Sequence, residues 1–114
     1  MFIDVRPRRR NSQKGEANKR CPSHLKWLRG RPCVLASAGC RGPIVAAHVD
    51  FVGAKGMATK TEDWNAIPLC DAHHQEQHAK GWATFQRIYT FNAANAAEEY
   101  ARRSPHRAKW EQRA

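Results

Sequence analysis

The stretch Cys70-Asp71-Ala72-His73-His74-Gln75-Glu76-Gln77-His78 limits what this chain can fold into more than any other. Cys70 and His73 have the Cys-x-x-His spacing of half a structural zinc site. His74 and His78 are four apart, so on a helix they share one face and can hold a second ion together. At 114 residues the chain is one domain with tails, and a domain of that size has a thin core that often needs a metal or a disulfide.

Cysteine usage separates those two options. The four cysteines lie at 21, 33, 40 and 70. Two disulfides would need a secretory context. The start, Met1-Phe2-Ile3-Asp4-Val5 followed by arginines, is apolar before basic, the reverse of a signal peptide. The expectation is a reducing cytoplasm, where cysteine with nearby histidine reads as zinc. A structural Zn²⁺ is therefore expected on Cys33, Cys40, Cys70 and His73. The gap between Cys33 and Cys40 exceeds the usual two to four residues of zinc fingers, with Gly39 available for the turn. Cys21 with His24, three residues on, remains an alternative source of ligands.

The net charge is +10 and the pI about 10.1, with basic residues at both ends, including Arg8, Arg9 and Arg10. Such a distribution suits a polyanion such as nucleic acid. No apolar run approaches the roughly 18 to 20 residues of a membrane-spanning helix, so no membrane partner is expected.

Patterning along the chain predicts an α+β domain over residues 21–104, between a disordered basic tail over 1–20 and a basic tail over 105–114. Pro22 to Gly30 reads as a short helix, with proline at its first turn and glycine at its end. Ile44 to Val49 reads as a strand, 53–63 as an exposed loop, and Asn65 to Leu69 as an irregular strand whose Pro68 belongs at an edge. The histidine helix runs from about Asp71 to Lys80 and closes at Gly81. Trp82, Phe85, Ile88 and Tyr89 follow at helical spacing as core, then a helical stretch from Asn92 to Arg103, and Pro105 ends the ordered region.

The order is thus strand, His48, loop, Asn65, strand, Cys70, then a helix with His74 and His78. Together with His24-Leu25-Lys26-Trp27-Leu28, Pro32-Cys33, Ala46-Ala47-His48-Val49 and Pro68-Leu69-Cys70, it resembles the HNH (ββα-metal, His-Me finger) endonucleases over about residues 24 to 90. More narrowly it is similar to small phage and prophage nucleases of the recombination-associated, Ref-like group. The resemblance implies a zinc-stabilised ββα-metal core with flanking helices, and metal-dependent hydrolysis of DNA phosphodiesters inside a bacterial host cell. It implies His48 as the general base, Asn65 as the residue orienting His48 or its loop, and His74 and His78 as ligands of a catalytic Mg²⁺, Mn²⁺, Ni²⁺ or Zn²⁺. Two imidazoles favour the softer ions among these.

Many relatives carry a third metal ligand just before the base. Here that position is Ala47, which leaves Asp50 as a possible substitute. Lys55, Lys60, Lys80 and Arg87 are candidate phosphate contacts beside the arginine tail, with no base-reading element in view. Weak sequence preference is expected, and some relatives act on recombinase-coated DNA, so a recombinase filament is a candidate partner. Two alternatives stay open: a zinc-stabilised nucleic-acid-binding module without catalysis, and a ribonuclease built on the same motif.

Overall fold

A computed structural model describes residues 18–51 and 61–111. At its centre two antiparallel strands pair, β1 (Ile44–His48) and β2 (Ala66–Cys70), in a register that sets Ile44 against Cys70 and His48 against Ala66. Every residue of β2 is buried, whereas β1 is mostly half-buried. An apolar run covered on both faces is the expected companion of packed helices. Pro68 sits opposite Ala46, and its carbonyl accepts from the Val34 amide at 2.8 Å. In a two-stranded sheet both strands are edges, so the missing N–H of Pro68 interrupts nothing further.

Five helices surround the sheet among the described residues: α1 (Pro22–Arg29), α2 (Asp71–Lys80), α3 (Trp82–Tyr89), α4 (Ala93–Arg103) and α5 (Ala108–Glu111). The architecture is a small α+β domain, and none of its described helices is long and apolar enough to cross a membrane. α1 packs on both strands and α4 on β2. Ala93 and Ala97, four apart and buried, let α4 approach the strand closely. Asn92 caps that helix, its side chain accepting from the Asn95 amide at 2.8 Å.

β2 passes into α2 without a loop. Cys70 ends the strand and caps the helix, its Sγ accepting from the His73 amide. The next two amides of that first turn are satisfied from the preceding knuckle: Asp71 N donates to Pro43 O at 2.9 Å and Ala72 N to Arg41 O at 3.0 Å. Gly42 makes this approach possible. Its φ is +83°, and a Cβ there would lie 2.7 Å from the Asp71 Cβ. Gly81, at φ +84°, closes α2 and starts α3.

α3 buries Trp82 and Phe85, and Phe85 gathers Tyr89 and Phe91 around it at ring separations of 5.0 and 5.9 Å. Ile88, expected in the core, is instead exposed. Order does not stop at Pro105. The expected basic tail from 105 turns back as α5, whose Trp110 is buried, stacks on Trp64 at 5.4 Å and 11°, and meets the His24 ring at 4.8 Å. Burying a tryptophan outweighs the local basic character of its neighbours.

Candidate functional site

Two clusters flank the start of α2. The first is Cys33, Cys40, Cys70 and His73, whose ligand atoms all lie within 4.8 Å of one another. Nδ1 of His73 is 3.7 Å from the Cys33 sulfur, 3.6 Å from that of Cys40 and 3.1 Å from that of Cys70. Around a tetrahedral zinc with bonds near 2.3 Å to sulfur and 2.0 to 2.1 Å to nitrogen, such an edge is about 3.6 Å. The four side chains can hold a metal ion such as zinc. Amides of Arg41 and His73 point at the Cys70 sulfur from 3.4 and 3.5 Å, which favours a thiolate there.

Burial pushes the Cys33 thiol up, against amides of Cys70, Leu35 and Ala36 that favour its charged form. Burial acts the same way on Cys70. There the amides of His73 and Arg41 and the two neighbouring thiols outweigh it, and the thiol falls below its usual value.

Gly39 serves this cluster by space rather than by backbone freedom. A Cβ on it would come within 3.4 Å of the His73 ring, while the left-handed conformation in the knuckle falls to Ala36, at φ 45°. The alternative ligands stand apart from the cluster. Cys21 is buried with its sulfur 3.7 Å from Ser23 Oγ, and His24 meets Ser104 Oγ at 2.9 Å.

The second cluster lines a cleft of about 570 Å³ bounded by Ala46, His48, Asp50, His74, Gln77, His78, Gly81 and Trp82. The strand alternation that points Ala46 and His48 into the cleft turns Ala47 into the core, where it is 2% exposed. On α2, the four-residue spacing brings Nε2 of His74 within 3.1 Å of Nε2 of His78. Two nitrogens so close suit neighbouring positions around one cation with bonds near 2.1 Å. Burial, then the His78 charge, lowers the His74 pKa against the opposing pull of Asp71, a shift toward the neutral imidazole. A neutral imidazole is the form that binds metal.

His48 is held from behind. Its Nε2 lies 3.0 Å from Oδ1 of Asp63, a carboxylate only 1% exposed. The other oxygen of Asp63 accepts from the Cys21 amide at 2.7 Å, and Arg20 approaches the carboxylate at 3.7 Å. Asn65 is expected to orient His48 or its loop through a side-chain hydrogen bond. Its Nδ2 donates to Glu62 at 3.1 Å, and its carbonyl accepts from the Val49 amide at 2.8 Å, fixing the chain just past His48.

A family model described as a protein of unknown function, DUF968, matches residues 7–112. The chain belongs to the DUF968 family. It is also similar, at 33% identity over 55 residues, to the uncharacterized protein YdfU of Escherichia coli (strain K12). That match covers 48% of this chain and 15% of the relative, so the chain spans a small part of that relative's length. No solved structure matches it.

In this DUF968 protein the site residues read from sequence fall into three groups. Cys33, Cys40, Cys70 and His73 come together, as do His48, His74 and His78. Of the candidate phosphate contacts, Arg8, Arg9, Arg10, Lys55 and Lys60 lie outside the described residues. Lys80 is paired with Glu76 at 2.6 Å, and Arg87 is exposed on α3 with Thr84 Oγ1 3.5 Å away. For Asp63 the sequence suggests a solvated loop charge, whereas the structure buries it to 1% exposure. Between Glu62 and Trp64 it has no periodic or motif signal, and only the fold brings it beneath His48.

Proposed function

We propose that this DUF968 protein is a metal-dependent DNA endonuclease of the ββα-metal kind, hydrolysing phosphodiesters with low sequence preference. One observation carries the reading: a strand end and a helix face deliver His48, His74 and His78 to a single open cleft, with a buried carboxylate behind His48. A base held by an orienting carboxylate beside a pair of metal-binding imidazoles is a constellation suited to phosphoryl chemistry.

In this reading Nε2 of His48 donates to Asp63, which leaves Nδ1 to take a proton from the attacking water. Asp63 fixes the tautomer and the ring orientation and stabilises the imidazolium once the proton has moved. His74 and His78 would hold the divalent ion, and Asp50 is the acidic side chain in the cleft able to join them. When bound, that ion supplies Lewis-acid stabilisation of charge on the phosphate and the departing oxygen. The Cys33, Cys40, Cys70 and His73 cluster pins the knuckle to α2 and so sets the helix that presents both histidines. The net charge of +10 provides salt-sensitive attraction to the DNA backbone.

The test is cleavage of supercoiled plasmid and of single-stranded circular DNA by wild type and His48→Ala, with added Mg²⁺ or Mn²⁺. Metal-dependent nicking that falls by roughly two to four orders of magnitude in the variant supports the reading. Equal activity in both proteins would remove His48 from the chemistry.

A second reading, a zinc-stabilised nucleic-acid-binding module without catalysis, draws on Ala47. That position faces the core and leaves the cleft two imidazoles and no ligand just before His48. Salt-sensitive DNA binding with no cleavage under any divalent ion would favour it, as would RNA cleavage for the ribonuclease alternative.

A further inference from the structure

Beside the histidine cleft, and sharing Asp50 and Trp82 with it, lies a shallower groove of about 340 Å³ lined by Asp50, Phe51, Trp82, Ala83 and Gln86. Phe51 sits in the turn after β1, next to Asp50, and is 42% exposed. Its ring meets that of Trp82 edge-on, at 6.1 Å and 70°. Single exposed apolar side chains are ordinary. This one differs in its place, braced by an aromatic neighbour that lines both hollows.

The polar groups at the groove are also particular. Oε1 of Gln86 accepts from the Ala93 amide at 2.6 Å, which fixes the side-chain amide, while its Nε2 makes no hydrogen bond among the described residues. A fixed amide donor at the edge of an apolar groove suits the rim of a planar heterocycle. Phe51, Trp82 and Ala83 give the groove a largely apolar lining, which favours a base over the charged backbone.

We propose that this groove takes one unpaired nucleobase, stacked on Phe51, from a strand whose phosphate enters the histidine cleft. The proposal rests on the nucleic-acid reading above and gives it a substrate class: single-stranded or locally opened DNA. In a closed duplex the faces of each base are already stacked on their neighbours, so the base must be unstacked before an aromatic side chain can take it. Asp50 and Trp82 line both hollows and so set them side by side, within reach of neighbouring parts of one strand.

The experiment measures binding of the full chain to a phosphorothioate-protected oligothymidylate and to its duplex with oligoadenylate, by fluorescence anisotropy. Wild type is expected to bind the single strand more tightly than the duplex. Phe51→Ala is expected to weaken single-strand binding about fivefold or more while leaving duplex binding nearly unchanged, and Phe51→Tyr to retain it. Equal loss on both substrates, or no loss on either, overturns the proposal.

A second arm does not depend on how a variant folds. The same oligonucleotide carrying 5-bromouracil, irradiated with wild-type protein, is expected to crosslink at Phe51 or Trp82, and crosslinks confined elsewhere count against the groove. If neither DNA binds, the nucleic-acid reading fails and the groove with it. If plasmid is cut while Phe51→Ala is silent and crosslinks lie elsewhere, the groove alone fails.

Discussion

The Oδ1 atom of Asp63 lies 3.0 Å from Nε2 of His48, and Asp63 is itself almost wholly buried. This pairing joins segments far apart in the chain. The amide of Asp63 donates to Lys19 O at 2.9 Å, and its carboxylate accepts from the Cys21 amide at 2.7 Å. The segment entering α1 is thereby fastened to the residue that aims His48. A buried carboxylate so satisfied is rigid, because each partner would lose its hydrogen bond if it moved.

Asp63→Asn keeps the size and an oxygen for the Cys21 amide but removes the charge that fixes the His48 tautomer. The expected result is a fall in cleavage kcat of at least about tenfold, with KM little changed. Zinc content should stay the same, since Asp63 is outside the cysteine cluster. Asp63→Ala should in addition cost about 1–3 kcal/mol in urea unfolding, because it strands the buried Cys21 amide. Unchanged kcat in Asp63→Asn would show that the pair is structural only.

The cysteine cluster sets a different expectation. One zinc per chain should be found by elemental analysis, and Cys70→Ser or His73→Ala should lose it. Cys21→Ser should keep it, since that sulfur lies by Ser23 rather than in the cluster. Zinc-site binding energies of about 10–16 kcal/mol rival the whole stability of a small domain, so a strong chelator should abolish the far-ultraviolet circular dichroism of the fold. Retention of the spectrum in chelator would sink the structural assignment.

What was legible in the sequence follows from the range of the interactions. α2 runs from Asp71 to Lys80, as its flanks Cys70 and Gly81 imply, because caps and periodicity act within a few residues. The Cys33, Cys40, Cys70 and His73 cluster and the pairing of His74 with His78 were legible because ligand chemistry and helical spacing limit such groups to few residue types and positions. Asp63 and Trp110 were not. A carboxylate among polar neighbours and a tryptophan among Lys and Arg look exposed locally, and each is buried by partners more than forty residues away. For Trp110 the one available signal was its size, since a large aromatic side chain in a polar run seldom stays in water. The Asn65 carbonyl accepts from the Val49 amide just past His48, a backbone contact that no residue preference reveals.

Trp110 closes the domain over α1 by stacking on Trp64 and touching His24. Trp110→Ala should destabilise the protein by about 3–5 kcal/mol, the range for emptying a buried aromatic site. Deletion from Pro105 onward should cost at least as much, read by the urea midpoint at constant m-value. A loss below 1 kcal/mol in both would restore the picture of a dispensable tail.

His24 makes stability depend on pH. Burial, then the His106 charge, lowers its pKa from the ordinary 6.5 to about 4 against a smaller opposing pull from Asp63. Its Nδ1 is paired with Ser104, while its Nε2 is buried among the rings of Trp27 and Trp110 with no hydrogen-bond partner among the described residues. Between those two pH values the unfolded chain holds a proton on this ring that the folded chain does not. The unfolded state then binds more protons, so stability rises with pH. The stabilisation is complete above about pH 6.5 and is lost as pH falls toward 4, by up to about 3 kcal/mol. His24→Phe preserves the ring packing and removes the titration. Urea unfolding of both proteins at pH 7 and pH 4.5 isolates the effect, because the metal cluster is common to them. The wild type should lose about 2–3 kcal/mol more than the variant over that interval, and parallel losses would show that His24 titrates alike in the folded and unfolded chains.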